Sequence, residues 1–456
     1  LDTTEADGYL HNIVGILPGQ LTKLWESLDD LLGRMLQEKE IEGLLRALDG
    51  GYIPPSPGND VVRNSAVVPT GRNIHGPTAA AQETGARLMD EMLERLQKEQ
   101  GGVPETIAMV LWGTDNLKSD CEGVAQVLYL VGARAIQDDL AQVADVELIP
   151  LDELRRPRID VVVTVSGVFR DLLCHQMELI DKAVRLAAEA LEPDEWNFVR
   201  KHTRVHAADL GVSFYEAATR VFANQPGHYG ANVNHLVESS NWEDDGELSE
   251  AFLESKSFAY GKRGDWRNSR KVMESSLGTV NAAFQNIDSF ELGISDIDHY
   301  YEYLGGLAKS VEKLGGTRPK VMVADAISLN GRLSSLEQMV RLESRAKMLN
   351  PKWYEAMLKH GYEGVREIET RVSNTYGWSA TADAVEGWVY NDIAETFLLD
   401  EEMRKRMSAA NPHAAAAIAK RLLEANARAF WDADDAMIEQ LREIYADLED
   451  QMEGVG

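Results

Sequence analysis

The chain has 456 residues, 44% of them hydrophobic, enough for a sizeable core and for roughly two to four domains of ordinary size. Its 75 acidic and 46 basic side chains leave a formal charge of −29, which argues against a nucleic-acid binder and disfavours docking on an anionic membrane. No run approaches the ~18 apolar residues that a membrane span needs, and the longest, Ile159 to Phe169, is broken by Asp160, Thr164, Ser166 and Gly167.

Two cysteines, Cys121 and Cys174, leave no disulfide framework and no four-Cys zinc site. A reducing compartment is expected, either the cytoplasm or an organelle stroma. The opening Leu1-Asp2-Thr3-Thr4-Glu5 has no initiator Met, basic stretch or apolar stretch. The expectation is a processed or cut-down chain without an intact secretory signal.

Residues 19–48 place Leu21, Leu24, Leu28, Leu31, Leu32, Met35, Ile41, Leu44 and Leu45 near a 3.6-residue period, which predicts a helix ending at Gly50-Gly51. Tyr52 to Pro77 is rich in Pro and Gly and reads as extended and irregular. At about 25 residues it is too long for a simple connector. Helix 78–99 then leads to Gly101-Gly102 and a strand over Thr106 to Trp112. Helix 116–131 ends at Gly132, strands follow at Val146 to Ile149 and Ile159 to Val165, and a helix covers 170–191.

This alternation predicts an α/β fold of right-handed βαβ units on a parallel sheet, with ligands beyond the carboxyl ends of its strands. Trp112-Gly113-Thr114-Asp115 and Ser166-Gly167-Val168-Phe169-Arg170-Asp171 occupy two such ends. Residues 224–330 are more mixed, with loops at Gly227 to Gly230 and Lys262 to Gly264 and one further strand at Lys320 to Ala324. From Ser334 the chain reads as helical, ending in a charged helix over Asp434 to Glu453. Four regions are expected: a helical segment 1–50 left from an upstream domain, an α/β domain 51–230 with the His75 loop, a mixed α/β region 231–333 with Glu238 and His299, and a mainly α-helical C-terminal region 334–456.

Absent motifs narrow the function. There is no Gly-x-x-x-x-Gly-Lys-[Ser/Thr] loop, no His-Glu-x-x-His, no Gly-x-Ser-x-Gly, and no Gly-x-Gly-x-x-Gly after a strand. A P-loop ATPase and the common hydrolases and dehydrogenases therefore have nothing to rest on. Thr70 to Gly76 sets Arg72, Asn73 and His75 in one irregular loop, where a lone His is more often structural than catalytic. Asp171 opens a helix and suits an amino-terminal charge role as well as a functional one.

Asn234-His235-Leu236-Val237-Glu238 and His299-Tyr300-Tyr301-Glu302 both carry His-x-x-Glu, which on a helix puts imidazole and carboxylate on one face. Such pairs bind metal or relay protons, although the spacing also arises by coincidence. Gln285-Asn286-Ile287-Asp288 is a polar cluster equally consistent with a capped turn. Cys174 and His175 are neighbours whose side chains point apart on a helix, so a buried, inert Cys174 is expected.

These segments together resemble one family, the large subunits of magnesium chelatase and aerobic cobaltochelatase. The resemblance rests on Pro69-Thr-Gly-Arg-Asn-Ile-His75, Leu111-Trp-Gly-Thr-Asp-Asn-Leu-Lys118, Arg156-Pro-Arg-Ile-Asp160 and Ser166-Gly-Val-Phe-Arg-Asp171. Asn197-Phe-Val-Arg-Lys-His202, Val233-Asn-His-Leu-Val-Glu238, Gln285-Asn-Ile-Asp288, Leu349-Asn-Pro-Lys-Trp-Tyr-Glu355 and His360-Gly-Tyr-Glu-Gly364 continue it in order. It runs from about residue 40 to the end. Asn374-Thr-Tyr-Gly-Trp-Ser-Ala-Thr381 and Lys256-Ser-Phe-Ala-Tyr260 resemble the magnesium, chlorophyll-pathway branch, whereas Asn234-His235 and Gly305-Gly306 also suit the cobalt branch. Two features depart from the family: Gly76 runs straight into Pro77-Thr78, where a longer Asp-Pro-containing stretch is usual, and the family's large chain is much longer.

The resemblance implies a porphyrin-binding catalytic subunit that inserts Mg²⁺ into protoporphyrin IX, with ATP hydrolysed by separate AAA+ partner subunits. It implies Glu238 for ion delivery, with His235 as a second metal donor, and His75 and His299 as proton acceptors. Arg72 and Arg170 would pair with porphyrin carboxylates, and Asp115, Asp171, Gln176, Gln285 and Asn286 would form a polar wall. The alternatives are a cobaltochelatase acting with Co²⁺ on a corrin-type ring, a non-catalytic tetrapyrrole-binding or sensor protein, and a helical scaffold with a degenerate site.

Overall fold

The computed structural model describes residues 18–454 apart from 38, 55, 59–60, 62–64, 70–72, 75, 138–142, 262–265, 288–291 and 326–330. The chain forms two compact units, Leu1–Gly76 with Leu117–Asp120, and Pro77–Asn116 with Cys121–Gly456. In the smaller unit the apolar run over 19–48 forms two helices, Pro18–Met35 and Lys39–Leu48. The break falls at Leu36-Gln37, where the Gln37 N–H closes on the Arg34 carbonyl three residues back. The following Pro- and Gly-rich stretch contains a parallel pair of two-residue strands, Ser56–Pro57 and Asn73–Ile74.

The larger unit carries strands β1 (Thr106–Leu111), β2 (Ala133–Gln137), β3 (Val143–Leu148), β4 (Asp160–Val165) and β5 (Val221–Ala223). Further on come β6 (Phe258–Tyr260), β7 (Trp266–Asn268), β8 (Ala282–Ile287), β9 (Lys320–Asp325) and β10 (Arg332–Ser335). Eight of them form one sheet in the order β10-β9-β8-β1-β4-β5-β6-β7. The five from β9 to β5 run parallel, and β10, β6 and β7 are antiparallel additions at the edges. Every residue of β1 and β4 is buried. That is why both read as continuous β-branched and apolar runs: a parallel sheet is covered on both faces.

Helix Ala79–Gln100 begins where Thr78 Oγ1 accepts the Ala81 N–H at 3.2 Å, and it ends at Gly101 with φ 78°. Both ends follow from ordinary capping chemistry. The helix expected over 116–131 is two helices, Gly113–Lys118 and Glu122–Val131, because Asp120 and Cys121 adopt φ 55° between them. The helix expected over 170–191 is likewise split at Leu173 into Gly167–Leu172 and Cys174–Glu189. This break leaves Cys174 exposed, contrary to the buried position expected of it.

The strand expected at Val146 to Ile149 belongs to a separate β2–β3 hairpin. The central strand β8 has no clear signature in the sequence, since Gln285 and Asn286 at its end hide an otherwise short apolar run. The C-terminal region is helical, and its longest helix, Tyr362–Ala382, buries Val372, Tyr376 and Trp378 in the same core as Tyr301 and Phe252. Among the described residues no helix is long and apolar enough to cross a membrane.

Candidate functional site at the carboxyl edge of the sheet

Chain order fixes where a ligand site belongs. From β1 the chain moves outward on one side through β4 and β5, then returns to place β8 and β9 on the other side. The switch point therefore lies between β1 and β8, and open α/β sheets bind ligands in the crevice beyond the strand ends at that point.

Across this crevice the Trp112 indole N–H donates to Gln285 Oε1 at 3.1 Å. The Asn286 amide donates to Asp115 Oδ2 at 3.3 Å, and its Oδ1 accepts from Gln126 Nε2 at 3.1 Å. Asp115, Gln285 and Asn286 are all buried. The Gln285 amide nitrogen has no partner among the described residues, a buried loss of about 1–3 kcal/mol that a ligand acceptor would recover. Ser166 Oγ ties the ends of β1 and β4 together by accepting the Gly113 and Phe169 N–H groups at 3.1 Å each.

Arg170 follows at the end of β4, with 3% of its surface exposed. Its guanidinium grips both oxygens of Asp171 at 2.7 and 3.0 Å and donates to the carbonyls of Asn224, Gln225 and His228 at 3.3, 2.9 and 2.9 Å. Its charge is met inside the protein, so in this arrangement Arg170 orders the 224–228 loop. Tyr229 completes the group, its hydroxyl donating to Asp171 Oδ2 at 2.6 Å.

Asn224, at the end of β5, links this cluster to the next. Its Oδ1 accepts from Lys256 Nζ at 2.6 Å and its Nδ2 donates to the Gly230 carbonyl at 2.7 Å. Lys256 is fully buried, and its ammonium lies 3.5 Å from the centre of the Tyr303 ring. Burial pushes its pKa well below the ordinary lysine value, and the nearby Glu302 carboxylate opposes that push. Trp112 packs against both Tyr300 and Tyr303, with ring centres at 5.5 and 4.7 Å, so the switch crevice adjoins this segment.

The second His-x-x-Glu pair lies here, on a helix that opens with Asp298–Tyr300 and passes through a π-helical turn, Tyr301–Gly305. Single π turns occur often at functional positions. Glu302 Oε2 lies 2.7 Å from His299 Nδ1, while Oε1 accepts the N–H groups of Ala231 and Asn232. Gly230, at φ 79°, allows this approach, since a Cβ there would stand 3.0 Å from Glu302 Oε1. Glu302 is 1% exposed and the His299 side chain 54%, so the carboxylate is fixed and the imidazole remains accessible. The hydrogen bond that His299 donates to Glu302 raises the His299 pKa above its usual value, and Asp298, 3.9 Å away, adds to the shift against some desolvation.

The first pair faces it. Helix Val233–Ser239 carries Asn234, His235 and Glu238, and the Asn234 amide donates to Asp298 Oδ2. Arg421 closes the carboxyl end of this helix through the carbonyls of Val237 and Glu238 at 2.9 and 2.5 Å. Glu238 is exposed to solvent, yet partial desolvation and the negative charge of Asp298 raise its pKa above the ordinary carboxylate range.

Glu238 and His235 open on different cavities. Glu238 lines one of about 410 Å³ with Glu369, Lys420 and Arg421, and His235 one of about 470 Å³ with Glu247, Glu250 and Glu254. Among the described residues no group of three or more His, Cys, Asp or Glu stands close enough to hold a metal ion. Gln176 is buried on helix Cys174–Glu189. Arg72 and His75 lie outside the described residues.

Asp115, Gln285, Asn286, Arg170, Asp171 and His299 thus belong to one continuous chain of contacts, and Asn234 and Asp298 extend it to the helix of Glu238. Sequence reasoning gave no role to the residues that connect them, Trp112, Asn224, Lys256 and Asp298, whereas the pairing of His299 with Glu302 follows the His-x-x-Glu spacing.

A mostly parallel sheet with a polar network along its carboxyl edge and a helical C-terminal region make this an α/β protein with a ligand crevice at the switch point of its sheet. The sequence pattern described as CobN/Magnesium Chelatase matches residues 8–438, and the chain belongs to that family. It is 45% identical over 451 residues to the chloroplastic magnesium-chelatase subunit ChlH of rice (Oryza sativa subsp. indica), covering 96% of this chain and 32% of that one. It is 46% identical over 430 residues to the corresponding magnesium-chelatase protein of Cereibacter sphaeroides, covering 93% and 36%. The catalytic subunit of cobaltochelatase from Mycobacterium tuberculosis shares the fold, with a TM-score of 0.82 at 35% identity over 92% of this chain and 37% of that one. The chain therefore spans about a third of the length of the relatives it matches.

Proposed function

We propose that this chain is the catalytic portion of the large, porphyrin-binding subunit of an ATP-dependent magnesium chelatase, inserting Mg²⁺ into protoporphyrin IX. The observation that carries the reading is the accessible His299 held by the buried Glu302, with Asp298 next to it on the same helix and within electrostatic reach of Glu238 on the neighbouring helix. Identity of 45–46% to magnesium-chelatase subunits, against 35% to the aerobic cobaltochelatase subunit CobN of Sinorhizobium, favours magnesium.

The reaction removes two pyrrole N–H protons and strips water from a small, hard cation. His299, with Nδ1 donating to Glu302, offers Nε2 as a proton acceptor, and Glu302 stabilises the imidazolium that results. Glu238 and Asp298 supply the oxygen donors that suit Mg²⁺, with His235 a weaker candidate on the same helix. Asp115, Asp171, Gln176, Gln285 and Asn286 form the polar wall of the ring site. The family resemblance points to separate AAA+ partner subunits as the site of ATP hydrolysis.

The test is protoporphyrin IX binding by this chain, read as fluorescence quenching, followed by Mg²⁺ insertion once ATPase partners and ATP are added. Binding with insertion supports the reading. Binding without insertion supports a tetrapyrrole sensor instead, and faster insertion of Co²⁺ into a corrin-type ring would assign the chain to the cobalt branch.

A further inference from the structure

A cavity of about 720 Å³ opens beside the carboxyl ends of β8 and β9 and is separate from the residues assigned above. Its volume falls within the roughly 300–1,000 Å³ usual for small-molecule sites. Ile287, Leu292, Met339 and Leu342 give it an apolar lining, and Leu342 and Leu292 remain 53% and 36% exposed. Exposed leucines inside a concavity are what a flat apolar ligand covers.

Its rim is cationic in a chain of net charge −29. Arg341 and Lys347 are paired with Glu386 and Asp296. Arg332 and Arg345 form no ion pair among the described residues, Arg345 lying 4.6 Å over the Trp388 ring. Of the two acids in the lining, Glu343 already accepts the Ile294 and Ser295 N–H groups at 2.8 and 3.1 Å, and Asp325 stands across the strand pair from Arg332. The cavity also adjoins the catalytic network: Ile287 follows Asn286 directly, and Gly293 opens the segment leading to Asp298.

We infer that this cavity takes the carboxylate-bearing rim of a planar tetrapyrrole, its apolar face on Leu292 and Leu342 and its carboxylates on Arg332 and Arg345. The inference rests on the porphyrin-binding reading above and gives it an anchoring subsite. Arg suits this role because its planar fork matches a carboxylate.

The experiment compares fluorescence quenching of protoporphyrin IX and of its dimethyl ester by the 456-residue chain and by its Arg332→Ala/Arg345→Ala variant. The expected result is about tenfold weaker binding of the diacid by the variant, the summed scale of two exposed charge-assisted contacts, with ester binding unchanged. Leu342→Glu should weaken both ligands. Diacid binding equal in variant and wild type, or equal affinity of the wild type for diacid and ester, overturns the subsite alone. No porphyrin binding by the wild type overturns the subsite together with the functional reading.

Discussion

His299 Nδ1 and Glu302 Oε2 lie 2.7 Å apart, one residue accessible and the other sealed beneath it by two backbone N–H groups. This geometry fixes the imidazole tautomer and raises its pKa, so the imidazole is set by a carboxylate that is itself buried.

Replacing that carboxylate changes a pH profile before it changes anything else. Proton acceptance needs neutral His299, so the acidic limb of the insertion rate should follow its raised pKa. In Glu302→Gln the raising hydrogen bond to a charge is gone, and the limb should move to lower pH. The His299 imidazole resonance, followed by NMR titration, should shift in the same direction. An unmoved titration would detach Glu302 from His299.

Arg170→Lys should destabilise the larger unit by about 2–3 kcal/mol, because an ammonium cannot hold a bidentate carboxylate and three carbonyls together. Urea unfolding measures the loss. Protease sensitivity should appear in the 224–230 loop, which Arg170 orders through its carbonyls.

Gly377 packs against the buried ring of Tyr301, and a Cβ there would approach three of its ring atoms to 2.7 Å. Gly377→Ala should therefore cost about 1–3 kcal/mol of overpacking. Because Tyr301 lies between His299 and Glu302, insertion should slow as well. Calorimetry and a rate assay check the two effects separately.

At the amino edge of the sheet, fully buried Asp160 is clamped by Arg220 at 2.9 and 3.0 Å and by His202 at 3.0 Å, with His206 stacked on His202. Burial first, then the Arg220 charge, lowers the His206 pKa to about 4. A folded pKa below the unfolded 6.5 means stability is whole above pH 6.5 and falls as pH drops towards 4, by about 3 kcal/mol. Asp160, whose pKa is also lowered, adds further loss at still lower pH. His206→Phe should flatten the melting temperature between pH 6.5 and 5, and an unchanged slope would show that other groups carry it.

Much of the architecture was readable because burial on both faces demands it. β1 and β4 announce themselves as short, mostly apolar and β-branched runs, and Thr78, Gly101, Gly132 and Asn350-Pro351 mark helix ends by their own chemistry. β8 was hidden because Gln285 and Asn286, which hydrogen-bond across the crevice, are polar and interrupt its apolar run. β2 and β3 form a half-exposed hairpin whose pairing depends on a partner no local pattern names. For the site, spacing exposed both His-x-x-Glu pairs. Their meeting through Asn234 and Asp298, and the Asn224–Lys256–Tyr303 link, are tertiary contacts with no trace along the chain.

The most direct measurement is single-turnover Mg²⁺ insertion into protoporphyrin IX with ATPase partners and ATP, comparing wild type, Glu238→Gln and His299→Gln, with porphyrin binding recorded in parallel. The account predicts retained binding and an insertion rate lowered by about a hundredfold or more in each variant, through the lost proton acceptor in His299→Gln and the lost charged oxygen donor in Glu238→Gln. Retained binding with wild-type insertion in both variants would contradict it.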